Sequence, residues 1–129
     1  MSEKFTVEII SPSRLILKAD SSEVTIPAYE GQMGILKDHV PLITFLRPGL
    51  ILIKSEDEKI FFVEDGTVEF NNNVLLILTS TAKILNELNK VEIDEMIRRS
   101  NELLENDKVT DKEKYLLHYK IRTLQEINI

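Results

Sequence analysis

The hydrophobic period of this chain changes once, near residue 82, and that change restricts the folds open to it. Before it, apolar residues alternate or come in short runs. Phe5-Thr6-Val7-Glu8-Ile9 alternates, while Leu15-Ile16-Leu17, Val24-Thr25-Ile26, Leu50-Ile51-Leu52-Ile53, Ile60-Phe61-Phe62-Val63 and Val74-Leu75-Leu76-Ile77-Leu78 are short and rich in β-branched residues. Turn-forming residues separate the runs: Ser11-Pro12-Ser13, Asp20-Ser21-Ser22, Glu30-Gly31, Arg47-Pro48-Gly49, Glu56-Asp57-Glu58, Asp65-Gly66 and Asn71-Asn72-Asn73. Short strands at this spacing predict an antiparallel β-sandwich or barrel. Continuous apolar runs, unlike strict alternation, predict strands covered on both faces. A partner protein is one possible source of a second cover.

After residue 82 the spacing is helical. Ile93, Met96, Ile97, Leu103 and Leu104 recur on one stripe, and Leu117, Ile121, Leu124 and Asn128 on another, with Tyr115 and Tyr119 to one side. Glu105-Asn106-Asp107-Lys108-Val109 breaks the two. Thr110-Asp111-Lys112-Glu113 then reads as a capping box, in which the Thr110 hydroxyl accepts from the Glu113 amide and the carboxylate reaches back. Asn89-Lys90-Val91-Glu92 is a weaker start signal for the first helix. No Gly or Pro follows Gly66. The expected fold is therefore α+β: an N-terminal antiparallel β-sandwich over residues 1–82, then a two-helix antiparallel hairpin over residues 83–129. Such a hairpin is too small to fold alone, so its apolar stripe must lie on the sandwich or on a partner.

Charge and composition narrow the function. The 129 residues carry a net charge of −6, with 43% hydrophobic and 29% charged residues. A negative chain is a poor match for nucleic-acid phosphates or an anionic lipid surface. There is no cysteine, which removes disulfides, thiolate metal sites and thiol nucleophiles. No apolar stretch is long enough to span a membrane, and the start, Met1-Ser2-Glu3-Lys4-Phe5, lacks the character of an export signal.

No catalytic constellation stands out. His39 and His118 lie far apart in the chain, and the carboxylates are spread singly, so neither a nucleophilic set nor a metal centre is expected. Gly31-Gln32-Met33-Gly34 lacks the Lys-Ser/Thr ending of a phosphate-binding loop. Residues 27–49 hold three of the four prolines and three of the four glycines. Tight turns around a buried strand would account for them, and so would a shaped loop surface for a protein partner.

The motifs in this region are Ile26-Pro27-Ala28, Glu30-Gly31-Gln32-Met33-Gly34-Ile35-Leu36, His39-Val40-Pro41-Leu42 and Leu46-Arg47-Pro48-Gly49. Together they resemble the signature of the epsilon subunit of the F-type ATP synthase. Val7-Glu8-Ile9-Ile10-Ser11-Pro12 resembles that family's first strand and turn, and Asp65-Gly66-Thr67-Val68-Glu69-Phe70 with the run to Thr81-Ala82 resembles its later strands. The resemblance spans essentially the whole chain. Lys37-Asp38 stands where the family usually has Pro-Gly, and Asp65 replaces one Gly of a Gly-Gly turn.

The resemblance implies a non-catalytic rotor subunit of the central stalk, without a cofactor. Its sandwich would bind the gamma subunit and sit on the membrane-embedded, proton-carrying ring. Glu30, Gly31, Gly34, His39 and Pro41 match the segments that face these two partners. The hairpin would leave the sandwich as a regulatory arm, reaching about 50 Å if helical throughout, and restrain ATP hydrolysis. Lys112, Lys114, Lys120 and Arg122 would then meet an acidic loop of the catalytic alpha/beta head. Some bacterial members bind ATP through an Ile/Leu-Asp-x-x-Arg-Ala motif. Here Asn89 and Glu92 stand in place of its Asp and Arg, so ATP binding is expected to be absent or very weak despite Arg98, Arg99 and Arg122 nearby. The expected location is peripheral, on the cytoplasmic face of a bacterial inner membrane. A free-standing adaptor using the same body for unrelated partners is the alternative.

Overall fold

The computed structural model describes residues 3–127. Ten strands come first: β1 (Phe5–Ile10), β2 (Leu15–Ser21), β3 (Glu23–Ala28), β4 (Gly31–Leu36), β5 (Leu42–Leu46), β6 (Gly49–Lys54), β7 (Lys59–Val63), β8 (Gly66–Asn71), β9 (Val74–Leu78) and β10 (Lys83–Ile84). A 3₁₀ turn (Leu85–Glu87) leads into helices α1 (Lys90–Leu104) and α2 (Asp111–Glu126). The strands form one sheet in the order β10-β7-β6-β3-β5-β8-β9-β1-β2, curled on itself into a sandwich, with β4 paired to β3. All pairs are antiparallel except β1 with β9, which run parallel.

β3 is where the sheet turns. Its first half pairs with β6, and its last residue, Ala28, pairs with Leu46 of β5. The Arg47-Pro48 step crosses between the two halves, pinned by the Arg47 amide donating to the Pro27 carbonyl at 2.9 Å. At Gly49 a Cβ would lie 2.5 Å from that of Pro27, so this crossing needs a residue without a side chain.

The alternation of β1 buries Phe5, Val7 and Ile9. They join Val24, Ile26, Ile35, Leu46, Ile51, Ile53, Phe61, Val63, Val68, Phe70, Leu75 and Ile77 in the core between the layers. The continuous runs divide into two kinds. In β7, Phe61 and Val63 face this core, while Phe62 is buried in a second cluster with Leu88, Ile93, Leu124 and Ile127. The outer cover of β7 is thus the chain's own hairpin, and burying Phe62 there contributes about 2–3 kcal/mol. In β9, Leu75 and Ile77 are buried but Val74 and Leu78 are exposed.

The capping box of α2 forms as its sequence predicts, with the Thr110 hydroxyl accepting from the Glu113 amide at 3.1 Å. Asn89 caps α1 by accepting from the Glu92 amide at 2.8 Å. The expected α1 stripe holds at Ile93, Met96, Ile97 and Leu104 and fails at Leu103, which is half exposed. Ser100 is the buried residue one turn before Leu104. Its hydroxyl donates to the Met96 carbonyl at 2.8 Å, which lets a polar side chain occupy that position. In α2, Ile121 and Leu124 are buried and Leu117 is half-buried, while Asn128 lies outside the described residues.

Candidate functional site

The five residues expected to meet partners in the sandwich lie on β4 and in the turns at its two ends. Tyr29 and Glu30 form the two-residue turn between β3 and β4, with Ala28 opposite Gly31. Glu30 is exposed, and Gly31 has φ +134°, a conformation that favours glycine. Gly34 sits mid-strand, exposed, and an added Cβ would find only Glu23 Oε2 at 3.8 Å. His39 and Pro41 lie beyond the other end, in the loop to β5. β4 is about 20 Å long at ~3.3 Å per residue, so Glu30 and Gly31 are well separated from His39 and Pro41. What unites them is that β4 pairs only with β3 among the described strands. All five therefore lie on or beside an edge strand, with backbone groups free to meet another surface.

The loop after β4 is tightly held. Asp38 adopts φ 66°, the left-handed conformation that a Gly would supply. Its amide donates to Asn73 Oδ1 at 2.7 Å, and Asn73 Nδ2 returns a bond to Asp38 Oδ1 at 2.9 Å. This pair clips the β4–β5 loop to the β8–β9 turn. The half-buried His39 ring meets Phe70 edge-on at 6.0 Å, and its Nδ1 donates to the Val40 carbonyl at 2.7 Å.

A second feature was not among the expected residues. Ile43, Phe45 and Leu78 are 76%, 55% and 44% exposed. Strand register aligns Ile43 with Glu69 and Leu76, and Phe45 with Thr67, Leu78 and Ile10. The Phe45 row is apolar apart from Thr67, while Glu69 and, on β1, Glu8 interrupt the Ile43 row, so the outer face of β5, β8, β9 and β1 carries an apolar strip edged by carboxylates. A shallow groove of about 610 Å³ at its end is lined by Ile10, Pro12, Tyr29, Phe45 and Leu78, among others. The signal was present in the sequence as the unbroken apolar run of β9, whose second cover is not supplied by the described residues.

The cations expected on the arm divide into two groups. Lys112 and Lys114 are exposed at the start of α2, with Lys112 Nζ 6.0 Å from the Tyr29 ring centroid. Lys120 instead bonds Glu64, between β7 and β8, at 2.7 Å. Arg122 is exposed beside Tyr119, with its guanidinium 5.6 Å from that ring. Arg47 also meets the Tyr119 ring, with its guanidinium carbon 3.9 Å from the centroid.

At the degenerate nucleotide motif, Asn89 and Glu92 bond each other. Asn89 Nδ2 donates to Glu92 Oε1 at 2.8 Å while Asn89 Oδ1 accepts from the Glu92 amide and caps the helix. Arg98 donates to Glu95 at 2.6 Å and to Glu102, and Arg99 donates to Glu95 at 3.2 Å. The hydrogen bonds from Arg98 and then Arg99 hold the Glu95 carboxyl down at about 2. Both guanidiniums are thus already engaged with carboxylates. Among the described residues no group of three or more His, Asp and Glu side chains is placed to hold a metal, and no helix is long and apolar enough to cross a membrane.

An edge strand flanked by ordered loops, an uncovered apolar strip and a docked helical hairpin define the class: a β-sandwich with an appended C-terminal helical hairpin. Comparison with known proteins makes this class specific. The sequence profile of the family described as ATP synthase, Delta/Epsilon chain, beta-sandwich domain matches residues 4–84. The ATP synthase epsilon chain of Pelagibacter ubique is 45% identical over 130 aligned positions, covering 99% of this chain and all of the relative. That of Dichelobacter nodosus is 33% identical, covering 81% and 74%. The chain belongs to the ATP synthase epsilon chain family. Its fold also matches a chain of the Euglena gracilis mitochondrial ATP synthase, OSCP/F1/c-ring in rotational state 1, with a TM-score of 0.81 at 20% identity over 95% of this chain and 80% of that one. A chain of the Tetrahymena thermophila mitochondrial ATP synthase central stalk and c-ring matches with a TM-score of 0.67 at 19% identity, covering 99% and 98%.

Proposed function

We propose that this chain is the non-catalytic epsilon subunit of a proton-translocating F-type ATP synthase, joining gamma to the membrane ring. In this reading residues 1–82 are the foot of the rotor and residues 83–129 its regulatory arm. The observation that carries it is the strip of exposed Ile43, Phe45 and Leu78. A strip of this character on an ordered sheet is a standing surface for a permanent partner, since large exposed apolar patches are rare on monomers. Gamma is assigned to the strip.

The edge of β4 is a second surface. Glu30 and Gly31 at one end, Gly34 between, and His39 with Pro41 at the other offer contacts to gamma and the ring. Gly34 supports this assignment, because nothing inside the fold requires it to be glycine. Close approach of a partner backbone would require it. The arm, when extended, carries Lys112, Lys114, Lys120 and Arg122 towards the catalytic alpha and beta subunits and restrains hydrolysis there. No cofactor enters this reading. The complex would place the chain peripherally on the cytoplasmic face of a bacterial inner membrane.

The test is isolation of the tagged full chain from membranes of its own organism. Gamma, the ring and the catalytic head are expected to accompany it in fixed stoichiometry. Recovery of the chain without any of them would move the adaptor reading to first place.

A further inference from the structure

We propose that Glu64 is an internal stand-in for the arm's acidic partner, and that together with Arg47 it latches the hairpin to the sandwich. The inference deepens the reading above and rests on its assignment of α2 as a mobile arm. The hairpin is seated on the sheet by an apolar patch in which Phe62, Leu88, Leu124 and Ile127 meet. Apolar contact is non-directional, so it sets how firmly the arm is held but not what exchanges with it.

Two polar contacts add that selectivity. Lys120 bonds Glu64 at 2.7 Å, with side chains only 18% and 34% exposed. Among the described residues it is the sole ion pair joining hairpin to sandwich, the others lying within α1 or between β3 and β6. Glu64 is itself positioned. Its amide donates to the Thr81 hydroxyl at 3.0 Å, and Thr79 donates to the neighbouring Asp65 carbonyl at 2.7 Å. The second contact is Arg47 against the Tyr119 ring at 3.9 Å, one residue before Lys120. Arg47 Nε is buried and has no hydrogen-bond acceptor, so the ring is the guanidinium's main compensation there.

While the hairpin is docked, Lys120 is held against Glu64 and away from any surface the extended arm would reach. Docked, its charge is taken by Glu64; released, it is open to an acidic surface. Glu64 and that surface therefore compete, and the arm's resting position is set by their balance. Arg47 favours the docked state alone, because it belongs to the sandwich.

The chain has no cysteine, so Asp57→Cys and His118→Cys introduce a unique label pair on the exposed β6–β7 turn and α2. Distance distributions between spin labels on the full chain report docking directly. Glu64→Gln and Arg47→Ala are each expected to raise the undocked fraction roughly fivefold to tenfold. Tyr119→Phe, which keeps the ring, is expected to leave it unchanged. The charge-swapped pair Glu64→Lys with Lys120→Glu is expected to restore docking, which separates loss of the ion pair from misfolding. An unchanged distance distribution in both Glu64→Gln and Arg47→Ala would overturn the latch. So would failure of the swapped pair to recover docking. In the assembled complex, Glu64→Gln is expected to strengthen inhibition of ATP hydrolysis. If docking loosens but hydrolysis is unmoved, the latch stands and the regulatory-arm reading fails.

Discussion

Gly66 and Gly34 look alike in the sequence, yet the fold requires only the first. Gly66 has φ +152°, and a Cβ there would lie 2.7 Å from the Leu78 carbonyl oxygen. Gly66→Ala is expected to destabilise the sandwich by about 2–3 kcal/mol, read as a lower denaturation midpoint. Gly34→Ala is expected to change stability by less than about 0.5 kcal/mol, while weakening assembly into the complex. Equal losses of stability would show that Gly34 serves the fold instead of a partner. Several residue-scale features could not be read from the sequence. Asp38 in the left-handed region depends on Asn73, thirty-five positions away. Ser100 is buried because its hydroxyl returns to its own helix, a choice that periodicity alone does not register. Arg47 appeared only as part of a turn motif, and its contact with Tyr119 is a product of tertiary packing.

At the scale of elements, local chemistry was legible where it is local. The alternation of β1, the N-cap of α1 and the capping box of α2 depend on neighbours within a few residues, and they form as expected. Thr110→Ala removes the α2 cap and is expected to cost about 1 kcal/mol. Faster amide exchange confined to the first turn of α2 is the signature of that loss. The substituted nucleotide motif is likewise local. Asn89 and Glu92 cap α1, and Arg98 and Arg99 are paired with Glu95. A calorimetric titration with ATP at millimolar concentration is therefore expected to show no saturable binding. A saturable isotherm would mean that the cap opens for the nucleotide. Less legible were the covers of the apolar runs. The runs of β7 and β9 read alike, but one is covered by the hairpin and the other is left open. That difference is set by where the chain leaves the sheet. β10 extends the β7 side by two residues, and the 3₁₀ turn carries the helices over that half.

For the whole molecule, the two halves of the sandwich have different outer environments. The β6–β7 half is closed by Leu88, Ile93, Leu124 and Ile127 from the hairpin side. The β5–β8–β9–β1 half keeps Ile43, Phe45 and Leu78 in solvent. In the proposed reading, detachment of the hairpin would leave the surface assigned to gamma unchanged, which would make regulation and attachment separable. Candidate contacts along β4 were found from the motif, whereas the strip emerged only once strand register brought Ile43, Phe45 and Leu78 onto one face.

The measurement that bears most directly on this account is titration calorimetry of the purified chain against its cognate gamma subunit, with Phe45→Asp in parallel. Phe45 is 55% exposed, so the charge is expected to leave the fold intact. Tight one-to-one binding by the unaltered chain, weakened roughly thirtyfold or more in Phe45→Asp, is the predicted result, in line with the ~2 kcal/mol or more that a central aromatic anchor carries. Equal affinity of the two forms would show that gamma does not use the strip, and no binding by either would contradict the assignment of this chain to the stalk.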